Sequence, residues 1–559
     1  MSGDGIVSRV YGGFRGVDFR GDEVSLSRSP DSLNVWRDYR KASGISTRPG
    51  LKSFYKTNDR VYGIFFIGKN GACVHAGKRL YLVDTSTKTG TVINASVNAA
   101  KSNAFGYEGQ WYFMDGVNFL ANGITPVESY AYTPKTSISR SPLGGGEHFQ
   151  DINRLSALRI NTFVGDGENK EYFLDDYSID TDYTPHVKVN GEYVTKYTVD
   201  YEKGKITFET APSEPLTRGQ DNVEITFKKA KSGDADIIKN CTLLQVFDNR
   251  VFVSGNPMYP NTVFHCALRD PTYWSDTDYY DEGMDKSKIR SLVAGNNALW
   301  VFREPSPEGT SVFYHTPVTD PDYGKIYPSS HSNISIGCTG RAVNFSDDIV
   351  FFSDRGMEGI SGDITSEQLA SHRSTLVDSK LITSSGYADM VFAEWEGYLL
   401  VFIGKKVYLA DSRAKFANGE HFEYDWYYWE LEKEVYCTAV QDGVLYLGCD
   451  DGVYTLDDFN ANVKSYWTTP KDKFNAPSML KTTNKRGCVV EALGDVTVYA
   501  KTEKTGFELI GDFNGITDYF ACKIKRKKFK DLQLRFYSEK RFSLETATLE
   551  AFVGGYIKR

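Results

Sequence analysis

Eight histidines, His75, His148, His186, His265, His315, His331, His372 and His421, are the first residues to test for chemistry. None sits at metal-ligand spacing from another and no H-E-x-x-H pattern occurs, so they read as structural or surface residues. The run WSDTDYYDEGMD (274–285) is rich in carboxylates, but it lacks the D-x-D-x-D-G order and distal Glu of a calcium loop. It reads as a solvated acidic loop between strands. Eight cysteines are scattered without a C-x-x-C pair, which points to reduced, buried small hydrophobes. Cofactors and metals are not expected, and no residue is assigned a catalytic role.

Two further stretches carry chemical character. YDWYYWE (424–430) could be a stacking platform for sugars, but alternation along a strand sends Trp426 and Tyr428 to one face and Tyr427 and Trp429 to the other. Burial between packed sheets is the preferred reading. CKIKRKKFKDLQLRF (522–536) concentrates Lys523, Lys525, Arg526, Lys527, Lys528 and Lys530 in a chain of net charge -8. It reads either as a charged edge that discourages edge-to-edge aggregation, or as a basic surface for an acidic partner or a DNA path.

The elements that must position these residues are strands. The 559 residues include 36 Tyr and 34 Phe, aromatics that favour strands. The negative charge disfavours tight, non-specific nucleic-acid binding, which depends on clustered cations. No apolar run approaches the roughly 20 residues of a membrane-spanning helix, and the N-terminus has no signal-peptide pattern. A soluble protein folded in a cytosol is expected.

A hairpin pattern recurs: LLQVFDNRVFVSG (243–255), SLVAGNNALWVFR (291–303), AVNFSDDIVFFSD (342–354), VFAEWEGYLLVFI (391–403) and TAVQDGVLYLGCD (438–450). Aligned on turn pairs beginning at Asp248, Asn296, Asp347, Glu396 and Asp442, they repeat every 46 to 51 residues, about the length of a four-stranded propeller blade. Two looser units turn at Glu108 and near Asn70. The S-x-D-x-G-x-T-W boxes of sialidase-type propellers are absent.

Between Glu108 and Asp248 about 90 residues exceed one blade, and they alternate with period two around turns such as Asn190-Gly191 and Lys203-Gly204. The expected fold is therefore all-β: a β-propeller of about seven or eight blades, an inserted small β-sandwich-like module and a C-terminal β domain. The boundaries read as an N-terminal arm and lead-in at 1–60, first blades at 61–138, the insert at 139–236, remaining blades at 237–468 and the C-terminal domain at 469–559. At the front, Pro30-Asp31 reads as a turn, Asp31 or Ser32 as a helix cap, and Trp36 as an anchor. Pro49 supplies a fixed φ and Gly50 a permissive one.

Gly12-Gly13-Phe14, Gly16-Val17-Asp18, Ser29 to Trp36 (SPDSLNVW) and Thr47 to Leu51 (TRPGL), with the insert and the stretch SGNPMYPNTVFHCALRDPTYW (254–274), resemble the tail nozzle, or packaged-DNA-stabilising, proteins of short-tailed phages. The resemblance covers roughly 12–457. It implies a non-enzymatic virion protein in the tail, made and assembled in the host cytoplasm. Such a protein forms a homo-oligomeric ring, usually of six copies, against the portal, adaptor and other tail proteins. Genomic DNA passes its lumen without sequence-specific binding, and an acidic wall would let phosphates slide. The interface candidates are Trp36, Arg48, Lys523, Lys525, Arg526, Lys527 and Lys528. The alternatives are a glycan-binding or depolymerising propeller, supported by YDWYYWE and the acidic loops, and a collar or tail decoration protein.

Overall fold

The computed structural model describes residues 5–321, 324–361, 369–419, 421–514, 520–524 and 528–556. The chain is 53% strand and 3% helix, so all-β packing carries the fold. Seven four-stranded antiparallel meanders are the blades of a β-propeller: blade 1 at 61–94, blade 2 at 103–126, blade 3 at 243–281, blade 4 at 289–331, blade 5 at 342–372, blade 6 at 391–430 and blade 7 at 437–458. Blade 7 takes its fourth strand from Gly50–Lys56, antiparallel to Gly452–Asp458. A strand from the front of the chain thus completes the last blade.

The first hairpin of each later blade turns on two residues with positive φ, the geometry that matches the right-handed twist of the strands. Asp248 and Asn249 (φ 49° and 58°), Asn296 and Asn297 (53° and 58°), Glu396 and Gly397 (50° and 74°), and Asp442 and Gly443 (51° and 75°) make four of these turns. In blade 5 the turn is Ser346-Asp347 (49° and 65°), one residue earlier than the sequence alignment places it. Asp348 instead begins the strand and turns its carboxylate inward, accepting from Arg373 Nε at 3.0 Å and the Tyr424 hydroxyl at 2.8 Å.

The chain divides into two compact units, Met1–Gly77 with Tyr81–Thr91 and Ser332–Arg559, and Lys78–Leu80 with Val92–His331. Blade 1 is shared between these spans. The second unit contains the insert, a six-stranded and a three-stranded sheet closing on Phe163, Tyr172, Val187, Ile206, Phe208, Val223, Ile225 and Phe227. Its first strand is Lys135–Arg140, four residues ahead of the expected boundary.

The first unit contains a two-sheet domain drawn from both ends of the chain. One sheet joins Val35–Trp36, Ile45–Thr47, Phe542–Tyr556, Met479–Gly494 and Phe520–Cys522, with Gly5–Tyr11 added along Phe542–Tyr556. The other joins Ser32–Leu33, Ser465–Thr468, Leu532–Ser538, Val496–Thr502 and Glu508–Phe513. The front of the chain is therefore part of the C-terminal domain as well as the lead-in to the propeller. A single apolar core runs from this domain through Trp36, Trp467, Leu534 and Leu549 into blades 6 and 7 at Trp395, Tyr398, Trp429 and Leu447. All eight cysteines are buried and unbridged; Cys488 and Cys522 face each other on paired strands.

Candidate functional site

The front residues of the phage resemblance, in 12–18, 29–36 and 47–51, converge on one joint within the first unit, whereas the insert and 254–274 lie in the second. Gly16 adopts φ 80° and passes so close to the Trp426 carbonyl that any Cβ would collide with it. That approach lets Val17 N donate to Trp426 O at 2.7 Å. Phe14 packs edge-on against Trp467, with centroids 5.0 Å apart. The Ser29 hydroxyl donates to Thr468 O at 2.7 Å, and Asp31 accepts from the Tyr466 hydroxyl at 3.1 Å while pairing with Arg535. No helix forms here: Ser32–Leu33 is a strand against Tyr466 and Trp467, so the expected Asp31 or Ser32 cap is replaced by strand pairing.

Asn34 holds a left-handed backbone (φ 58°), which an Asn tolerates better than most residues. Its side-chain oxygen accepts from Glu430 N at 2.8 Å and from Arg48 Nε at 2.9 Å, and its Nδ2 donates to Lys464 O at 2.9 Å. Arg48 is fully buried, donating also to Pro49 O, Glu430 O and Glu432 Oε1 at 2.8–2.9 Å. Burial pulls its pKa down and Glu432 opposes that. Trp36 stacks on Trp395 at 5.5 Å and meets Trp429 edge-on at 5.6 Å. With 1% exposure for Trp36 and 0% for Arg48, these two interface candidates are corrected to internal anchors: neither side chain is open to another protein. Gly50 has no positive φ; glycine is required there because a Cβ would strike the Ala461 side chain.

Two carboxylates tie the arm down. Asp425, 1% exposed, accepts from Arg15 Nε at 2.8 Å and Arg28 Nη2 at 2.5 Å. Asp472 accepts from Arg9 Nε at 2.8 Å and the Tyr11 hydroxyl at 3.0 Å, and burial with Asp472 beside it raises the Tyr11 pKa well above its ordinary value.

The basic stretch lies elsewhere on the same domain. Phe520–Cys522 is the last strand of its sheet, paired with Cys488–Val490, and Lys523 and Lys528 beyond it are exposed. Among the described residues neither makes an ion pair. Lys525, Arg526 and Lys527 lie outside the described residues.

The aromatic run is buried. Tyr424, Trp426 and Tyr428 face one core cluster while Tyr427 and Trp429 face another, so it offers no sugar platform. The acidic run is corrected too: Trp274 and Glu282 are fully buried, and Tyr279–Asp281 is the fourth strand of blade 3. Glu282 Oε1 lies 2.7 Å from His315 Nε2, and burial pushes the nearby Asp278 carboxyl up to about 6.

Two histidines stand in opposite environments, which residues far apart in sequence did not signal. In the first unit, His372 lies 2.9 Å from Glu358 and 2.6 Å from Asp378. Burial lowers its pKa, but the two carboxylates outweigh that and raise it to about 10. In the second, His265 has its pKa lowered to about 4, chiefly by burial. Among the described residues no group of three or more His, Cys, Asp or Glu side chains is arranged to hold a metal, and no helix is long and apolar enough to cross a membrane.

No protein-family model and no curated protein sequence matches the chain. Solved structures similar to parts of it include the computationally designed Ika8 protein (11% identity, 72% of this chain and 98% of that one, TM-score 0.31). Another is BamB from Moraxella catarrhalis (10%, 76% and 96%, 0.33). A third is an exo-β-1,3-galactanase from Phanerochaete chrysosporium (9%, 55% and 95%, 0.23). Likeness at this level carries no activity, substrate or partner across to this chain.

Proposed function

We propose that the chain is a structural, non-enzymatic virion protein of a tailed phage, one copy of a homo-oligomeric ring in the tail nozzle or head-tail connector. The observation that supports this reading is the joint. The front segments of the resemblance to nozzle proteins, in Gly12 to Asp18, Ser29 to Trp36 and Thr47 to Leu51, contribute the residues that lock the arm, blade 6 and the two-sheet domain together. Buried pairs are costly to break once formed, so these long-range closures hold the front of the chain to its far end, as a ring subunit through which DNA is retained and ejected requires. The net charge of -8 suits a lumen past which phosphates slide.

In this reading the portal and adaptor side contact other tail proteins, with exposed Lys523 and Lys528 offered to an acidic partner or to DNA. Electron cryomicroscopy of the parent virion, with mass photometry of the protein alone and with its adaptor, tests it. A closed ring of this chain around the DNA path is expected. Absence from the particle, a monomer in both mixtures, or a channel wall lined with cations would overturn it; a position outside the tail axis would favour a collar or decoration role.

A further inference from the structure

The second unit contains a cleft of about 570 Å³, within the roughly 300–1,000 Å³ usual for small-ligand sites. Blade 3 supplies much of its wall, and the acidic run 274–285 contributes Asp276, Tyr279 and Asp281. Its aromatic part is a row of three rings. Phe264, 2% exposed, is flanked by Tyr259 with centroids 5.9 Å apart and by Tyr279 at 6.2 Å. The two tyrosines are 41% and 44% exposed, and among the described residues neither hydroxyl makes a hydrogen bond. Phe264 backs the two partly exposed tyrosines, which meet it at 86° and 41° and supply the accessible aromatic surface of the cleft.

The polar part is equally specific. Arg154 is buried, its guanidinium 5.7 Å from the Phe264 centroid, donating to Asp234 Oδ1 at 3.0 Å and Asp276 O at 2.7 Å. Its Nε is buried with no hydrogen-bond partner. Asp281 accepts from the Thr262 hydroxyl through Oδ1 at 2.5 Å, which fixes the carboxylate and leaves Oδ2 unengaged. The Asp276 carboxylate makes no hydrogen bond or ion pair among the described residues. Such groups are acceptors without donors.

We propose that this cleft binds a neutral oligosaccharide. Sugar C–H faces pack on Tyr259 and Tyr279, and vicinal hydroxyls donate to Asp276 and Asp281 in charge-assisted hydrogen bonds. Of the four carboxylates that line the cleft, Asp234 is paired with Arg154 and Lys231 and Asp236 with Lys239, which leaves Asp276 and Asp281 to disfavour phosphorylated or carboxylated ligands. The volume accommodates a short oligosaccharide. This site is independent of ring formation, so each reading stands or falls by its own measurement.

The test is a titration of the full chain with neutral disaccharides (maltose, lactose, cellobiose, N,N′-diacetylchitobiose), with sialyllactose and glucose 6-phosphate as anionic controls, followed by saturation-transfer NMR and calorimetry. At least one neutral sugar is expected to bind in preference to both controls. Tyr279→Ala and Asp276→Asn should each weaken it about tenfold, because each removes one face or one acceptor. Tyr193→Ala, on the exposed surface of the insert, should leave it unchanged, and melting curves confirm that every variant is folded. No binding by any neutral sugar, preference for sialyllactose or glucose 6-phosphate, or binding that survives both cleft substitutions would overturn the proposal.

Discussion

The joint at the front of the chain and the inserted module handle charge in opposite ways. In the joint, Arg15 meets Asp425 across 410 residues, Arg48 meets Glu432 across 384 and Arg9 meets Asp472 across 463, with one member of each pair buried. In the insert, Lys205 meets Glu171 across 34 residues and Lys188 meets Glu224 across 36, and Lys196–Glu209 is an exposed pair, 78% and 65% accessible. Buried pairs are costly to break because the survivor is left charged and dry, whereas exposed pairs are screened by water. The molecule is thus made rigid at the closure between its ends, while the insert relies on its own apolar core.

Asp425→Ala strikes the joint hardest, because it leaves Arg28 buried without a carboxylate. We expect a loss of about 3–5 kcal/mol in denaturant unfolding, and an unchanged midpoint would remove the joint's claim to rigidity. Trp36→Ala empties the space between Trp395 and Trp429, with an expected cost of about 3–4 kcal/mol by the same measurement.

The histidines sharpen the contrast through pH. The folded pKa of His372, about 10, lies above the unfolded value near 6.5, so its contribution is complete below about pH 6.5 and is lost as pH rises through 10. The folded pKa of His265, about 4, lies below the unfolded value, so its contribution is present above about pH 6.5 and is lost as pH falls toward 4. His372→Gln should flatten the alkaline limb of a melting-temperature profile and His265→Gln the acid limb; the reverse assignment would contradict both environments. The smallest effect is expected from Lys196→Ala in the insert, about 0.5 kcal/mol or less in the same unfolding experiment.

The blades were legible because their signal is local. Asp-Asn, Asn-Asn, Glu-Gly and Asp-Gly pairs between apolar runs state the hairpins directly, and only Ser346-Asp347 slipped, since Asp348 is an equally good turn residue until its carboxylate is seen buried beside Arg373. The faces of YDWYYWE followed from strand alternation in the same way. What the sequence hid was every closure made across hundreds of residues. Neither Asn34, which reads as a turn residue but bridges Arg48, Glu430 and Lys464, nor the pairing of Ser32–Leu33 with Tyr466 and Trp467, has a local signature. The cleft was hidden for a related reason: Asp276, Tyr279 and Asp281 look like solvated loop residues until Arg154 and Phe264 are set behind them.

Pairing Gly5 with Val553 also sets a clock on biosynthesis. At about 5–20 residues per second, a ribosome needs roughly 30–110 s to deliver the partner of the first strand, and the fourth strand of blade 7 waits about three quarters as long. During that interval Gly5–Tyr11 and Gly50–Lys56 are unpaired edges on a nascent chain, open to the C-terminal strands of any copy that finished earlier. Exchange of these strands between copies is therefore the misassembly to which this architecture is most open.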